Sequence, residues 1–215
     1  MPKLFIFDLD GTLLNTLEDL ADAANHVLTN HGFPTHPVEA YRYFVGNGMP
    51  KLIERILPEN SKSGVVYDTC LKEFLDFYTI HMHDKTTVYD GLTSVLENLQ
   101  NKEIKLAVAT NKVQAALPPL MANYFPTIHW NALFGQRVGI PVKPDPQIVF
   151  DILESTGCSK DETLYLGDTN VDMQTAHAAG LKAIGVLWGY RPRTELEAAH
   201  AEYIIEKPEE LLDFV

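Results

Sequence analysis

Four short apolar segments, each followed by polar residues or glycine, constrain the fold of this chain most strongly. They are KLFIFDLD (3–10), IKLAVAT (104–110), TLYLGD (163–168) and KAIGVLWG (182–189). Such runs are typical of strands buried on both faces. Between these segments, apolar residues recur at helical spacing in the windows 92–101, 146–156 and 172–179. This alternation predicts an α/β fold, a doubly wound, Rossmann-like core with a parallel sheet.

Residues 16–85 break this alternation and carry helical patterns only. The spacing predicts a first helix that begins at Thr16, has a capping box with Asp19 and stops at Gly32. Three further helices are predicted near 37–45, 50–57 and 65–83. We therefore predict an α/β catalytic core formed by residues 1–15 and 86–215, and an all-helical cap formed by residues 16–85.

The charge of the chain excludes some classes of partner. Lys and Arg number 17 and Asp and Glu number 29, which gives a net charge of −12. This field repels nucleic acid and anionic membranes, so we expect neither as a partner. An anionic substrate requires a locally positive site. Cys70 and Cys158 are the only cysteines, and acidic residues interrupt the first 30 residues, so we expect a cytoplasmic protein. The sequence leaves open whether it is a monomer or a dimer.

Two aspartates follow the first predicted strand, in the segment Asp8-Leu9-Asp10-Gly11-Thr12. On a continuing strand their side chains share one face. Two close carboxylates indicate either a divalent metal ion or a shared proton. An Asx-rich turn that only ends the strand is the alternative interpretation.

A second acidic pair follows the segment 163–167. Asp168 and Asp172 are four residues apart across the start of a helix, which directs both carboxylates to one side. Hard oxygen ligands from separate strand ends suit Mg²⁺ and leave room for a substrate phosphate. Capping of the helix by either aspartate is the alternative.

Side chains that can bind phosphate follow the remaining strand. Thr110 and Asn111 offer a hydroxyl and an amide near a helix N-terminus. Lys143 lies in the rigid segment Lys-Pro-Asp-Pro, where a fixed cation can offset phosphoryl charge near aspartates. Taken singly, these residues also fit an ordinary turn and a solvated lysine.

Taken in order, these motifs resemble the haloacid dehalogenase superfamily: Asp-x-Asp-Gly-Thr, Thr-Asn, Lys-Pro and Gly-Asp-x-x-x-Asp. The resemblance covers nearly the whole chain, and the helical insert is similar to the helical cap of that superfamily. The DGT form, the TNK triplet and the stretch GDTNVDMQTAHAAG are most similar to phosphoglycolate phosphatases and their near relatives.

The resemblance implies a Mg²⁺-dependent phosphatase that hydrolyses a small phosphorylated metabolite through an aspartyl-phosphate intermediate. The first candidate substrate is 2-phosphoglycolate. The implied catalytic residues are Asp8 as nucleophile, Asp10 as general acid and base, and Thr110 and Lys143 as ligands of the phosphoryl group. The implied metal ligands are the Asp8 carboxylate, the Asp10 carbonyl, Asp168, and Asp172 acting through water or by orienting Lys143.

Substrate binding is assigned to residues of both predicted domains. Gly11, Thr12 and Asn111 are expected to contribute from the core. In the cap, the loop Val45-Gly46-Asn47-Gly48 resembles the specificity loop of the family, and Arg55 or Lys51 is placed to meet a substrate carboxylate. We therefore add Gly46, Asn47 and Arg55 to the predicted substrate-binding residues, with an ordinary helix–helix turn as the alternative.

Other activities share part of this pattern. A sugar phosphomutase usually has Val where this chain has Thr12, and a dehalogenase would lack Asp10. An inorganic pyrophosphatase and a sugar phosphomutase of the same superfamily both stay open as alternatives, since Thr12 favours hydrolysis without deciding it. A binding module without catalysis is disfavoured, because Asp8, Asp10, Lys143 and Asp168 are all present. A receiver-like domain would be shorter and would have no helical insert.

Overall fold

The computed structural model describes residues 1–215 and contains eight strands. They are β1 (Leu4–Phe7), β2 (Leu14–Asn15), β3 (Thr87–Val88), β4 (Lys105–Val113), β5 (Ala132–Gln136), β6 (Thr163–Gly167), β7 (Lys182–Val186) and β8 (Tyr203–Ile205). Six of them form one sheet in the order β5-β4-β1-β6-β7-β8, and every neighbouring pair is parallel. The two-residue strands β2 and β3 form a separate sheet.

The chain also contains nine α-helices. They are α1 (Leu17–Asn30), α2 (Val38–Phe44), α3 (Met49–Ile56), α4 (Gly64–His81), α5 (Leu92–Asn101), α6 (Leu117–Tyr124), α7 (Gln147–Thr156), α8 (Asn170–Ala179) and α9 (Arg193–Ala198). Short 3₁₀ helices span Glu59–Ser61, Gln114–Ala116, Lys160–Glu162 and Pro208–Phe214. None of the helices combines the length and the apolar character needed to cross a membrane.

Strand β1 lies inside the sheet because all four of its side chains are apolar and buried. Leu4 and Ile6 belong to a core cluster that includes Ile152 of α7 and Met173 of α8. Phe7 packs instead against Trp130, with ring centroids 6.3 Å apart. Consecutive side chains of a strand point to opposite faces, so β1 requires apolar cover on both sides of the sheet.

The predicted α/β class with a parallel sheet is confirmed. Each of the four predicted strand segments contains a strand of the sheet, and α5 spans the residues that the spacing predicts. Helix α8 begins at Asn170, two residues before the predicted start, because Thr169 caps it. Strands β5 and β8, which lie at the two edges of the sheet, were not predicted from the sequence.

The chain divides into two compact units. One comprises Met1–Leu14 and Val88–Val215, and the other comprises Asn15–Thr87. In the second unit, α1 packs against α2 and α4, and α3 packs against α4. The boundaries that we predicted from the sequence were residues 16 and 85. The role of the helical unit as a cap stays a prediction.

The predicted capping box at the start of α1 is wrong. Thr16 makes no side-chain cap hydrogen bond. The buried Asp19 carboxylate instead accepts the Lys85 N–H at 2.9 Å, the Thr86 N–H at 2.8 Å and the Thr86 hydroxyl at 2.7 Å. Asp19 therefore fastens the first turn of α1 to the last residues of the same unit.

Candidate active site

Polar residues of the core meet at one edge of the sheet, beyond the carboxyl ends of its strands. Asp8 follows β1, the segment 110–112 lies in the last part of β4, and Asp168 follows β6. These three strands are adjacent in the order β4-β1-β6. Ligands of open parallel sheets bind at this edge, because the loops and helix N-termini of neighbouring strands converge there.

The buried ammonium group of Lys143 joins the first and last motifs. Its Nζ lies 2.7 Å from Asp8 Oδ1 and 2.7 Å from Asp172 Oδ1. The Ala109 carbonyl oxygen at 3.0 Å and the Tyr165 hydroxyl at 3.1 Å complete its surroundings. Burial alone would lower the pKa of Lys143, but Asp172 and Asp8 raise it well above its ordinary value. The side chain is therefore a fixed cation.

Asn111 holds the backbone that carries Lys143. Its side-chain Nδ2 donates to the Lys143 carbonyl oxygen at 3.1 Å, and its Oδ1 accepts the Lys143 N–H at 2.8 Å. This pair of hydrogen bonds ties the end of β4 to the loop before α7. The predicted contact of Asn111 with the substrate stays a prediction.

Asp172 supports Lys143 and helix α8 at the same time. Its Oδ1 accepts from Lys143, while its Oδ2 accepts the Thr169 hydroxyl at 2.7 Å and the Thr169 N–H at 3.1 Å. Thr169 and Asp172 form the capping box of α8. Both carboxylate oxygens thus have protein donors, an arrangement consistent with a role in orienting Lys143. Its predicted part in metal binding stays a prediction.

Asp168 is fully buried and packs against the backbone of Gly11 and Gly189, where any side chain would collide with it. Its Oδ2 accepts the Tyr190 N–H at 2.7 Å, and its Oδ1 accepts the Thr12 hydroxyl at 3.3 Å. A Cβ atom on Gly11, whose φ is +95°, would lie 2.3 Å from Asp168 Oδ2, and one on Gly189 would lie 2.2 Å from Asp168 Cβ. Gly11 and Thr12 therefore contact Asp168, and their predicted substrate role stays a prediction.

The carboxylates of Asp8, Asp168 and Asp172 form a buried cluster whose nearest oxygens all lie within 4.8 Å of one another. Burial raises the pKa of Asp8 to about 7, with Lys143 opposing this shift and Asp172 adding to it. Burial, together with Asp172 and Asp8, raises the pKa of Asp168 well above its usual range. Crowded carboxylates of this kind call for a further cation, and an oxygen-only set of ligands fits Mg²⁺.

Asp10 pairs with a different cation. Its Oδ1 lies 3.2 Å from Lys112 Nζ, and the two side chains are 11% and 2% exposed. Strand β1 ends at Phe7, and Asp10 forms an isolated bridge with Leu14, so strand alternation does not extend to Asp10. Its carboxylate is not among the clustered oxygens. The predicted use of its carbonyl oxygen as a metal ligand stays a prediction.

Thr110 lies at the same edge of the sheet and is buried. Its Oγ1 accepts the Lys112 N–H at 3.1 Å. The register between β4 and β5 shifts between Ala109 and Val113, so the end of β4 departs from a regular strand at these residues. The predicted contact of Thr110 with the phosphoryl group stays a prediction.

Two of the predicted substrate-binding residues of the helical unit, Arg55 and Asn47, contact each other. Arg55 donates to the Phe44 carbonyl oxygen at 2.8 Å and to Asn47 Oδ1 at 2.7 Å. Gly46 has a φ of +119°, which favours glycine in this loop. Lys51, the other predicted cation, pairs with Glu54. Arg55 thus shapes the loop 44–48, and substrate binding by these residues stays a prediction.

Three residues of the site received no role from the sequence. Tyr165 contacts Lys143 from within β6, Thr169 caps α8 together with Asp172, and Lys112 pairs with Asp10. A tyrosine between two leucines of a buried strand, three residues before Asp168, was the available signal for Tyr165. The pairing of Lys112 with Asp10 had no such signal, because the two residues are 102 positions apart.

Comparison with known proteins agrees with this architecture. Residues 5–186 match the family model described as haloacid dehalogenase-like hydrolase. The chain therefore belongs to the haloacid dehalogenase-like hydrolase family. The predicted class of enzyme, a phosphoric monoester hydrolase, is confirmed by the family match and by the relatives given next.

Individual relatives come from several bacteria. The chain is 31% identical to the phosphoglycolate phosphatase of Pseudomonas putida over 99% of its own length and 79% of the relative. It is 34% identical to that of Mesorhizobium japonicum over 88% and 85% of the two chains. A crystal structure from Lactobacillus delbrueckii subsp. bulgaricus, of a protein provisionally named phosphoglycolate phosphatase, superposes with a TM-score of 0.93 at 28% identity and covers 99% and 97% of the two chains.

Proposed function

We propose that this protein is a Mg²⁺-dependent phosphatase that hydrolyses 2-phosphoglycolate through an aspartyl-phosphate intermediate on Asp8. The observation that carries the proposal is the position of the Asp8 carboxylate, buried within the acidic cluster and held by Lys143 at 2.7 Å. A carboxylate is a competent nucleophile towards phosphorus when cations neutralise the phosphoryl oxygens. The names of the relatives support the choice of substrate.

In the first half of the reaction, a carboxylate oxygen of Asp8 attacks phosphorus and the bond from phosphorus to the ester oxygen breaks. Asp10 donates a proton to the departing alkoxide, which leaves as the free alcohol. Lys143 keeps Asp8 in one orientation and offsets negative charge at the phosphoryl group. The Thr110 hydroxyl is proposed to donate to a phosphoryl oxygen.

In the second half, water attacks the phosphorus atom of the aspartyl phosphate. The carboxylate of Asp10, now without its proton, accepts a proton from this water. The bond between Asp8 and phosphorus breaks, inorganic phosphate leaves, and both aspartates return to their starting states. Splitting the displacement into two steps is the usual gain of covalent catalysis.

Mg²⁺ is proposed to be held by Asp8, the Asp10 carbonyl and Asp168, with Asp172 acting on Lys143 or through water. When bound, it would neutralise phosphoryl oxygens and part of the acidic cluster. We also propose a cytoplasmic location; the two cysteines, Cys70 and Cys158, are free thiols, as is usual in a reducing compartment.

The test is phosphate release in the presence of Mg²⁺ from 2-phosphoglycolate, pyrophosphate, β-glucose 1-phosphate and p-nitrophenyl phosphate. The expected result is the highest kcat/KM on 2-phosphoglycolate, loss of turnover in EDTA, and no turnover by Asp8→Asn. Mass spectrometry of acid-quenched enzyme is expected to find a phosphoryl group on Asp8. Preference for pyrophosphate, or isomerisation of the sugar phosphate, would move the function to a pyrophosphatase or a mutase; no phosphate release from any of the four would overturn the proposal.

A further inference from the structure

The ammonium group of Lys112 occupies a position that the proposed mechanism does not use. Its side chain is 2% exposed, and its Nζ lies 3.2 Å from Asp10 Oδ1. The other buried lysine of the site, Lys143, pairs with Asp8 and Asp172 at 2.7 Å. The core therefore offers two buried cations, one beside each aspartate of the first motif.

In the proposed mechanism these two cations serve different ends of the reacting bond. In the proposed function, Asp8 attacks phosphorus and Asp10 serves the ester oxygen, so Lys112 lies on the side of the leaving group. In 2-phosphoglycolate one methylene joins that oxygen to a carboxylate carbon, two bonds of about 1.5 Å each. A carboxylate so close to the ester oxygen falls within the reach of a cation beside Asp10.

The charge of the whole chain makes a local cation favourable for binding this carboxylate. A net charge of −12 opposes the approach of an anionic substrate, so a fixed local cation favours binding of a second anionic group. In the proposed mechanism Lys112 is the buried cation beside the residue that serves the ester oxygen, so a carboxylate on the leaving group would meet Lys112 rather than Lys143.

We propose that Lys112 binds the carboxylate of the leaving group and thereby makes the enzyme selective for phosphate esters of short 2-hydroxy acids. This inference rests on the proposed function, because it takes the direction of the leaving group from the role of Asp10. It assigns substrate recognition to the core of the protein rather than to the helical unit alone.

The experiment compares two esters that differ by one group, 2-phosphoglycolate and ethyl phosphate, in wild type, Lys112→Met and Lys112→Arg. Lys112→Met is expected to lower kcat/KM for 2-phosphoglycolate at least tenfold more than for ethyl phosphate, roughly the effect of one hydrogen bond to a charged group. Lys112→Arg keeps the charge and is expected to retain most of the selectivity. Lys105→Met, at the opposite end of β4, is the matched control and should leave the ratio unchanged.

Equal losses on both esters in Lys112→Met would overturn the inference, because Lys112 would then act only through Asp10 or the fold. So would a wild type that hydrolyses both esters equally well, an outcome that leaves the phosphatase activity itself intact. If wild type hydrolyses neither ester, the proposed function fails, and calorimetric titration decides the inference. The inference then requires that Asp8→Asn binds 2-phosphoglycolate at least tenfold more tightly than the double variant Asp8→Asn/Lys112→Met does. The two variants should bind ethyl phosphate equally. A smaller difference for 2-phosphoglycolate overturns the inference.

Discussion

Replacing the proposed nucleophile is expected to stabilise the metal-free protein. Asp8 is 7% exposed, and burial raises its pKa from 3.8 to about 7 despite its ion pair with Lys143. A pKa difference of this size corresponds to roughly 4 kcal/mol of folding free energy, lost when the buried carboxylate is ionised. Asp8→Asn keeps the shape and an acceptor for Lys143 without the charge. We expect its free energy of unfolding to exceed that of wild type by roughly 2 to 4 kcal/mol above neutral pH.

The sign of the pH dependence follows from the same values. Between pH 3.8 and about 7 the folded wild type holds a proton on Asp8 that the unfolded chain has released. The free energy of unfolding of wild type therefore falls as pH rises through this window, and the loss is complete above about pH 7. The advantage of Asp8→Asn is expected to be near zero at about pH 4 and largest at about pH 8.

The assay is urea unfolding followed by circular dichroism, in EDTA and again with excess Mg²⁺. Because a metal ion that binds only the folded state stabilises it, Mg²⁺ should narrow the difference by raising the stability of wild type. Asp68→Asn, at an exposed position of α4, is the control and should change stability by less than about 0.5 kcal/mol. A metal-free Asp8→Asn that is less stable than wild type at pH 8 would refute the reasoning, since the ion pair with Lys143 would then outweigh the burial of the carboxylate.

Three further substitutions test other parts of the structure. Asp19→Ala leaves two backbone N–H groups without their carboxylate and should lower the free energy of unfolding by about 2 to 4 kcal/mol in urea melts; a change below about 0.5 kcal/mol would contradict this. In Gly167→Ala the new Cβ would lie 2.2 Å from Asp172 Cβ, so we expect lower thermal stability and a kcat reduced more than tenfold; wild-type kcat would contradict this close packing. Asn111→Ala should lower kcat with little change in KM, because Asn111 holds Lys143; a rise in KM alone would instead indicate direct substrate contact.

The sequence predicts the position of the site because strand ends carry its residues. Asp8 and Asp168 each follow an apolar run, and runs buried on both faces indicate neighbouring parallel strands whose carboxyl ends meet. The edge strands β5 and β8 could not be predicted from such runs. The apolar run of β5 covers only residues 132–134 and that of β8 only Tyr203–Ile205, and runs of three residues are too short to indicate a buried strand.

Partners of side chains that are far apart in sequence could not be predicted. Asp19, two residues into α1, has the spacing of a capping box with Thr16, yet its carboxylate binds Lys85 and Thr86. Local patterns describe bonds within one turn of helix, whereas this bond depends on how the unit brings residues 66 and 67 positions apart together. Asn111 is a similar case, because its bonds to Lys143 depend on the loop before α7.

Two aspartates separated by a single residue acquire different environments in this protein because the strand ends before them. Had β1 continued, Asp8 and Asp10 would share one face and one set of neighbours. With β1 ending at Phe7, Asp8 enters the buried acidic cluster with Lys143, whereas Asp10 pairs with Lys112 outside that cluster. Chemistry that needs a fixed nucleophile at one residue and proton transfer at the other requires two carboxylates with different neighbours. The different neighbours of Asp8 and Asp10 are consistent with the division of roles that we propose for them.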